Sequence, residues 1–316
     1  MMNFLRVNKK KPCAICGRND WCGYSADGDS AICMRVKSDR ASANGGWLHR
    51  VGFATPKPTA RSVAAPQMPT AHADRKDAIY CALLKRFLVL SADHRARLRL
   101  RGLDAERIER GGYRSNPAPV YVRAILKDFS DDELRGVPGF YFEGGRRMVD
   151  CGAGFFIPAR DERGRIRALQ FRRDEGKPKY FWFSSASKPH GASSGSPLHF
   201  ANRHLLDRSD EVILTEGILK ADCVAHFTGL PVIAAAGVSN FPPGFEGNLR
   251  EQYPNINRAV VAFDSDFISN EQVKSALRRI VDRLRRAHFS TVVRTWDRNF
   301  KGYDDFLLSE RTTRAA

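Results

Sequence analysis

The 316-residue sequence predicts an α/β chain in three parts: a small metal-held module, a basic α+β middle segment, and a doubly wound parallel sheet. Three observations carry this. Cysteines sit at metal-ligand spacing within the first 53 residues. The hydrophobic period turns from helical to strand-like along the middle. After Asp210, strands and helices alternate, which at this length specifies a parallel sheet with crossover helices. At about 150 residues per domain, the length allows two domains and a small third. Hydrophobic residues make up 42% and charged residues 28%, enough apolar material for packed cores, which excludes wholesale disorder.

The elements follow in order. Residues 1–53 are rich in Cys, Gly and Trp and poor in long apolar runs. Residues 54–73 (ATPKPTARSVAAPQMPTAHA) are Pro, Ala, Thr and Ser without periodicity, an extended flexible linker. From Asp74 the chain becomes periodic: Ile79, Leu83, Leu84, Phe87 and Leu88 form one face of an amphipathic helix. A second helix is expected over Ala92–Leu100. A third begins near Asp104 and breaks at Gly111-Gly112. From Gly154, FFIPARD, a DERG turn and RIRALQFRR read as an antiparallel hairpin, with KYFWFSS as a third strand. Then come strand EVILTE, helix GILKADCVAHFTG, strands PVIAAAGV and AVVAFDSD, helix Glu271–His288 and strand TVVRTW. The expected divisions are 1–53, 54–73, 74–209 and 210–316.

Cys13 and Cys16 form a knuckle that offers two thiolates from one tight turn. Cys33 follows after 16 residues and His49 after 15 more. The segment WCGYSADGDSAIC reads as a hairpin turning at Ala26-Asp27-Gly28. A ribbon that returns a third ligand to a knuckle is the zinc-ribbon answer to tetrahedral S/N coordination. The expected ligands of a structural zinc are Cys13, Cys16, Cys33 and His49, with Cys22 the alternative to His49. Trp21, Tyr24 and Trp47 are either the core of this module or stacking platforms for unpaired bases.

Net charge is +17, which points to a polyanionic partner. Residues 1–75 carry 12 Lys+Arg against 5 Asp+Glu, residues 76–209 carry 26 against 16, and residues 210–316 carry 14 against 14. The first two thirds are thus suited to phosphates, and the last third keeps its carboxylates for another task. No apolar run approaches the roughly 18 residues of a membrane span. The N-terminal MMNFLRVNKKK lacks the apolar stretch of a secretory signal, and seven cysteines suit a reducing compartment. A soluble cytoplasmic protein is expected.

Glu216 ends strand EVILTE, Asp264 and Asp266 end AVVAFDSD, and Asp304 and Asp305 follow the last strand. In an open parallel sheet the carboxyl ends of the strands share one edge, so acids far apart in sequence converge there. Such a gathering of like charges calls for a divalent cation, and hard carboxylate oxygens suit Mg²⁺ or Mn²⁺.

An E-G after an apolar strand, with D-x-D after the next strand but one, resembles the TOPRIM domain of primases, topoisomerases and some nucleases. Before it, Ile157, Pro158, Asp161, Gly164, Arg172 or Arg173, then Pro178, Lys179, Tyr180 and Ser184, resemble the strands that precede TOPRIM in bacterial (DnaG-type) primases. With a zinc ribbon ahead of them, the order of parts is that of a primase. The segments L-x-x-RGL (Leu98–Leu103), VPGF (Val137–Phe140) and TEGILKAD also resemble a TOPRIM family of phages and mobile elements. The resemblance implies a DNA primase that condenses nucleoside triphosphates on a single-stranded DNA template. It implies Mg²⁺ at Glu216, Asp264, Asp266 and Asp305, with Asp304 beside them. Lys179, Arg172 and Arg173 would then supply positive charge to triphosphate or template.

The chain departs from that pattern in places. The second Cys-x2-Cys pair of many primase ribbons is missing. The acid usual four residues after the TOPRIM glutamate is Lys220, with Asp222 two residues on, and the last motif is YDD. No Walker motif occurs, so a helicase would act in trans. The rival readings are a TOPRIM nuclease and a non-catalytic DNA-binding protein of a mobile element.

Overall fold

A computed structural model describes residues 4–26, 28–42, 45–51, 68–87, 89–265 and 271–315. The chain divides into two compact units, Met1–Val63 and Ala64–Ala316. In the first, β1 (Phe4–Arg6), β2 (Gly23–Ser25), β3 (Ser30–Cys33) and β4 (Trp47–Arg50) form an antiparallel sheet in chain order. The expected hairpin is β2–β3, closed where Ser30 N–H donates to Ser25 Oγ at 2.9 Å; Asp27 of its turn lies outside the described residues. Among the described residues its core cluster is Val7 and three cysteines, with Ile15 and Tyr24 against them. So small a core needs a staple.

In the second unit, α1 (Ala73–Arg86), α2 (Ala92–Leu100) and α3 (Ala105–Gly111) fall where periodicity put them. Ser91 and Asp104 cap α2 and α3 through their side chains. Of the α1 stripe, Ile79, Leu83, Leu84 and Phe87 are buried, and Leu88 lies outside the described residues. The linker reading is corrected at its end. Met68 N–H donates to Gly191 O at 3.1 Å and Ala71 N–H to Gly136 O at 2.8 Å, so residues 68–73 are docked; linker residues 54–67 lie outside the described residues.

Then follow β5 (Arg114–Ser115), α4 (Pro119–Leu126), α5 (Asp131–Leu134), and the hairpin β6 (Phe140–Phe142) and β7 (Arg146–Met148), none of them anticipated. The expected three strands are β8 (Gly154–Arg160), β9 (Ile166–Arg173) and β10 (Tyr180–Trp182), in an antiparallel sheet ordered β10-β9-β8-β5. Buried Asp161 makes the β8–β9 turn by accepting from Arg163 and Arg165 N–H at 3.0 and 2.9 Å. In VPGF, Gly139 has φ +91°, and a Cβ there would meet the Phe183 ring at 2.0 Å, so glycine is required.

The last sheet contains β11 (His199–Ala201), β12 (Glu211–Glu216), β13 (Val232–Ala235), β14 (Arg258–Val261) and β15 (Ser290–Val293), ordered β11-β13-β12-β14-β15. All pairs are parallel except β11 with β13. Because β11 precedes residue 210, the expected division at 209/210 cuts through this sheet. Its helices are α6 (Ile218–Thr228), α7 (Phe245–Gln252), α8 (Glu271–Arg286) and α9 (Tyr303–Ala315). Alternation along β12 sends Val212 and Leu214 to one face with Leu249 of α7 and Leu284 of α8, and Ile213 to the other with Val224 of α6 and Tyr303 of α9. Helices thus cover both faces. The carboxyl ends of β12 and β14 stay open at one edge. Among the described residues, no helix is long and apolar enough to cross a membrane.

Candidate functional site

Two clusters of ligand-type side chains lie in separate units. In the first, Gly17 N–H closes the knuckle on Cys13 O at 2.8 Å, Cys22 precedes β2 and Cys33 ends β3. The Sγ atoms of Cys13, Cys16, Cys22 and Cys33 all lie within 4.8 Å of one another. Cys16 and Cys22 are 3.7 Å apart, close to the roughly 3.8 Å between thiolates on a tetrahedral zinc with ~2.3 Å bonds. Met34 N–H points at Cys22 Sγ (3.4 Å), Val36 N–H at Cys33 Sγ (3.3 Å), and the Arg35 guanidinium lies 3.8 Å from Cys22 Sγ. Such donors stabilise thiolate charge. Four thiols with no open position suit a structural zinc.

This corrects the fourth ligand from His49 to Cys22. In the β3–β4 register Cys33 pairs with Trp47, and His49 pairs with Ala31, two residues or roughly 7 Å further along the strand. Its Nε2 lies 3.0 Å from Val36 O instead. Of the three aromatic residues, Tyr24 packs on the cluster, whereas Trp21 is 66% exposed.

The second cluster lies at the open edge of the parallel sheet. Glu216 is the last residue of β12, and Gly217, at φ +84°, turns the chain into α6. Lys220 is one helical turn further. The expected strand through Asp266 ends at Val261 instead, with Ala262 N–H still donating to Leu214 O at 2.8 Å. Asp264 therefore sits on the loop beyond the strand, next to Glu216. Burial and the neighbouring Asp264 charge push the Glu216 carboxyl up to about 7. Asp266 lies outside the described residues.

The last acidic pair is corrected. Asp304, in the first turn of α9, is 3% exposed and faces Asp264 and Lys220, whereas Asp305 is exposed. Successive helix residues point about 100° apart, so only one of them can enter the cluster. Burial raises the Asp304 pKa, and Arg101 and Lys220 oppose that rise. Arg101, at the end of α2, donates to Asp304 Oδ2, and Lys220 Nζ to Asp264 Oδ1. Gly102, at φ +84°, permits the turn that brings Arg101 there, since a Cβ on it would strike Phe227 at 2.4 Å. Arg101 was visible in the sequence only as part of L-x-x-RGL.

Of the basic residues, Lys179 and Arg172 face this edge and Arg173 does not. Alternation in β9 puts Arg172 over the Phe155 ring, on the sheet face that packs on α6, and Arg173 over Phe181 on the α1 side. Burial and the nearby Arg172, Arg101 and Arg97 push the Lys179 ammonium below the usual lysine range. Three buried polar atoms here have no partner: Arg101 Nε, Arg172 Nη1 and Asp304 Oδ1. Native interiors rarely leave such atoms unpaired unless a ligand, ion or water completes them. Glu216, Asp264 and Asp304, with the open Asp304 oxygen, have the donor chemistry of a Mg²⁺ or Mn²⁺ site.

Asp222 does not replace the acid missing at 220. It projects from the other flank of α6, where Tyr113 O–H donates to its Oδ2 at 2.6 Å. His199 Nδ1 accepts from Arg160 N–H at 3.0 Å, so its Nε2–H donates to Asp222 Oδ1, also at 3.0 Å. These three residues border a cavity of about 370 Å³ that also holds Arg107, Arg110, Arg160 and Arg203. The residues of the acid cluster are not among those lining it.

Comparison with solved structures gives the fold. The zinc-binding and RNA polymerase domains of the Aquifex aeolicus primase superpose with a TM-score of 0.57 at 20% identity, over 77% of this chain and 61% of that one. The chain has the fold of a DnaG-type primase. The RNA polymerase domain of Mycobacterium tuberculosis primase DnaG, in complex with a double-stranded DNA oligomer with a 6-nucleotide overhang, gives 0.57 at 17% identity over 78% of this chain and 81% of that one. A DnaG primase catalytic domain bound to ssDNA gives 0.54 at 17%, over 77% and 79%. At these identities the likeness is one of fold. The chain spans 61% of the length of the Aquifex protein. Residues 204–313 match a family described as a domain of unknown function (DUF3854). No curated protein matches the sequence.

Proposed function

We propose that the chain is a DNA primase that makes short RNA primers on single-stranded DNA by nucleotidyl transfer. One observation carries the reading: on a primase fold, a buried carboxylate oxygen of Asp304 and the Nε of Arg101 beside it lack partners, as does Arg172 Nη1 on the sheet face toward α6. A magnesium-bound nucleoside triphosphate satisfies both kinds at once. Glu216, Asp264 and Asp304 would hold Mg²⁺ or Mn²⁺, and Asp266, two residues after Asp264 in sequence, is a further candidate. Held there, such an ion would supply positive charge to the attacking 3′ oxygen and the leaving pyrophosphate. Arg101, Arg172 and Lys179 would orient the triphosphate by charge-assisted hydrogen bonds.

In this reading the sheet of β11–β15 with its helices acts as a TOPRIM-like catalytic domain in the cytoplasm, the zinc module engages the template, and a helicase acts in trans. Single-stranded DNA affinity should fall steeply with salt, since several phosphate contacts release counterions. Incubation with single-stranded DNA, labelled nucleoside triphosphates and Mg²⁺ or Mn²⁺ should give short products on a gel. DNA binding with no product under either metal would leave the second reading, a DNA-binding protein without synthesis. That reading draws on the Lys220–Asp264 ion pair, which places an ammonium within the acid cluster.

A further inference from the structure

We propose that Lys220 is a resident cation of the acid site, occupying the place of a divalent ion until one displaces it from Asp264. The inference rests on the reading of the acid cluster as a divalent-metal site. Its ground is geometric. Gly302 has no side chain, and a Cβ built on it would meet Asp304 Oδ1 at 2.4 Å, Lys220 Cε at 3.3 Å and Asp264 Oδ1 at 3.4 Å. Three segments therefore close on one point. Lys220 Nζ donates to Asp264 there and also faces Glu216 and Asp304. The pair is nearly dry, its side chains 14% and 11% exposed, unlike a surface ion pair.

The second observation is Asp304 Oδ1. Its residue is 3% exposed, its other oxygen is taken by Arg101, and this one has no partner. An ammonium has three donors, yet that oxygen stays open. The ammonium thus neutralises the cluster without completing its coordination. Three carboxylates face two built-in cations, Lys220 and Arg101, and Asp304 Oδ1 is a fully buried acceptor left for a ligand. Lys220 holds Asp264 Oδ1, so a divalent ion that takes this oxygen, the one beside Asp304 Oδ1, must displace the ammonium. The freed ammonium then lies beside the metal, where the phosphates of a nucleotide would arrive.

The test measures metal binding directly, on the full chain with its zinc, using Mn²⁺ titration followed by electron paramagnetic resonance. Lys220→Gln should bind Mn²⁺ at least about tenfold tighter than wild type, since one contact charge shifts a carboxylate's affinity for a cation by about 1–3 log units. The gain should vanish in Lys220→Gln/Asp264→Asn. Equal or weaker Mn²⁺ affinity in Lys220→Gln overturns the proposal. A second measurement needs no variant. Acetylation of Lys220 by an amine reagent, read by peptide mass spectrometry, should rise severalfold at saturating Mn²⁺, and unchanged or lower labelling also overturns it. The two readings fail separately. Absent priming with the Mn²⁺ gain intact removes only the primase assignment, and priming with no gain removes only the role of Lys220.

Discussion

At the cysteine cluster all four ligands fall between residues 13 and 33 and face one another, and the sulfurs of Cys22 and Cys33 receive backbone N–H groups. At the acid cluster the members come from β12, α6, the loop after β14, α9 and the end of α2, and cations of the chain itself are already paired with the acids. The first is closed and local, as a structural site must be to hold its metal permanently. The second is assembled from distant segments and is open in its coordination rather than to solvent, with Asp304 Oδ1 unpartnered, as a site that takes up a ligand would be. Each difference can be broken by substitution.

The largest effect is expected at the closed site. Cys22→Ser should lose the zinc and with it the fold of residues 4–51, because metal affinity in so small a module is folding free energy, on the order of 10 kcal/mol. His49→Ala should keep about one zinc per chain. Metal analysis with circular dichroism reads both. Zinc retained in Cys22→Ser and lost in His49→Ala would restore the histidine as ligand.

At the open site, Asp264→Asn should cut primer synthesis by at least about 100-fold, the scale of one misplaced group at a centre of developing charge, while single-stranded DNA binding changes little. In the proposed reading the acids would hold metal, and Arg101, Arg172 and Lys179 would make the phosphate contacts. Undiminished product from this variant would sink the catalytic role of the cluster.

The contrast also explains what the sequence could show. Local patterns were legible: the knuckle, the α2 boundaries, the β8–β9 hairpin, and the strand end that carries Glu216. Quantities that depend on a three-dimensional register were not. Whether His49 or Cys22 completes the zinc set turns on a β3–β4 pairing that places Ala31, not Cys33, opposite His49. Whether Asp304 or Asp305 enters the cluster turns on the start of α9. Arg172 and Arg173 are adjacent in sequence and opposite in space, and only knowing which face of β9 meets α6 separates them. Lys220 read as a departure from a pattern, and its contact with Asp264 emerges only when the β14 loop is folded beside α6.

Stability against pH should separate the open site from the rest. The Glu216 carboxyl is raised from 4.5 to about 7 by burial and by Asp264, so between these values the folded chain holds a proton that the unfolded chain has lost. By linkage, the contribution of Glu216 is nil below about pH 4.5, becomes increasingly destabilising as pH rises, and levels off above about 7. In magnesium-free buffer, the urea midpoint of wild type minus that of Glu216→Gln should therefore fall across this window. Added Mg²⁺ should flatten the curve, because a bound cation favours the ionised carboxylate. A flat difference curve without Mg²⁺ would mean that Glu216 titrates as an ordinary solvated acid.

The smallest expected effect tests the two flanks of α6. Tyr113→Phe removes the 2.6 Å bond to Asp222 and leaves one oxygen of a partly buried carboxylate short of a donor, while His199 keeps the other. Such a loss costs about 1–3 kcal/mol, or a few degrees in Tm for a unit of this size. Asp222 belongs to a structural bridge between the N-terminal helices, β11 and α6, and Lys220 alone on this helix faces the acids. Synthesis per folded molecule should thus be unchanged below the new midpoint, and so should Mn²⁺ affinity. If Tyr113→Phe left stability intact but weakened Mn²⁺ binding, Asp222 would join the acid cluster, and the helix would carry two members of the site where Lys220 now stands as its single, opposite charge.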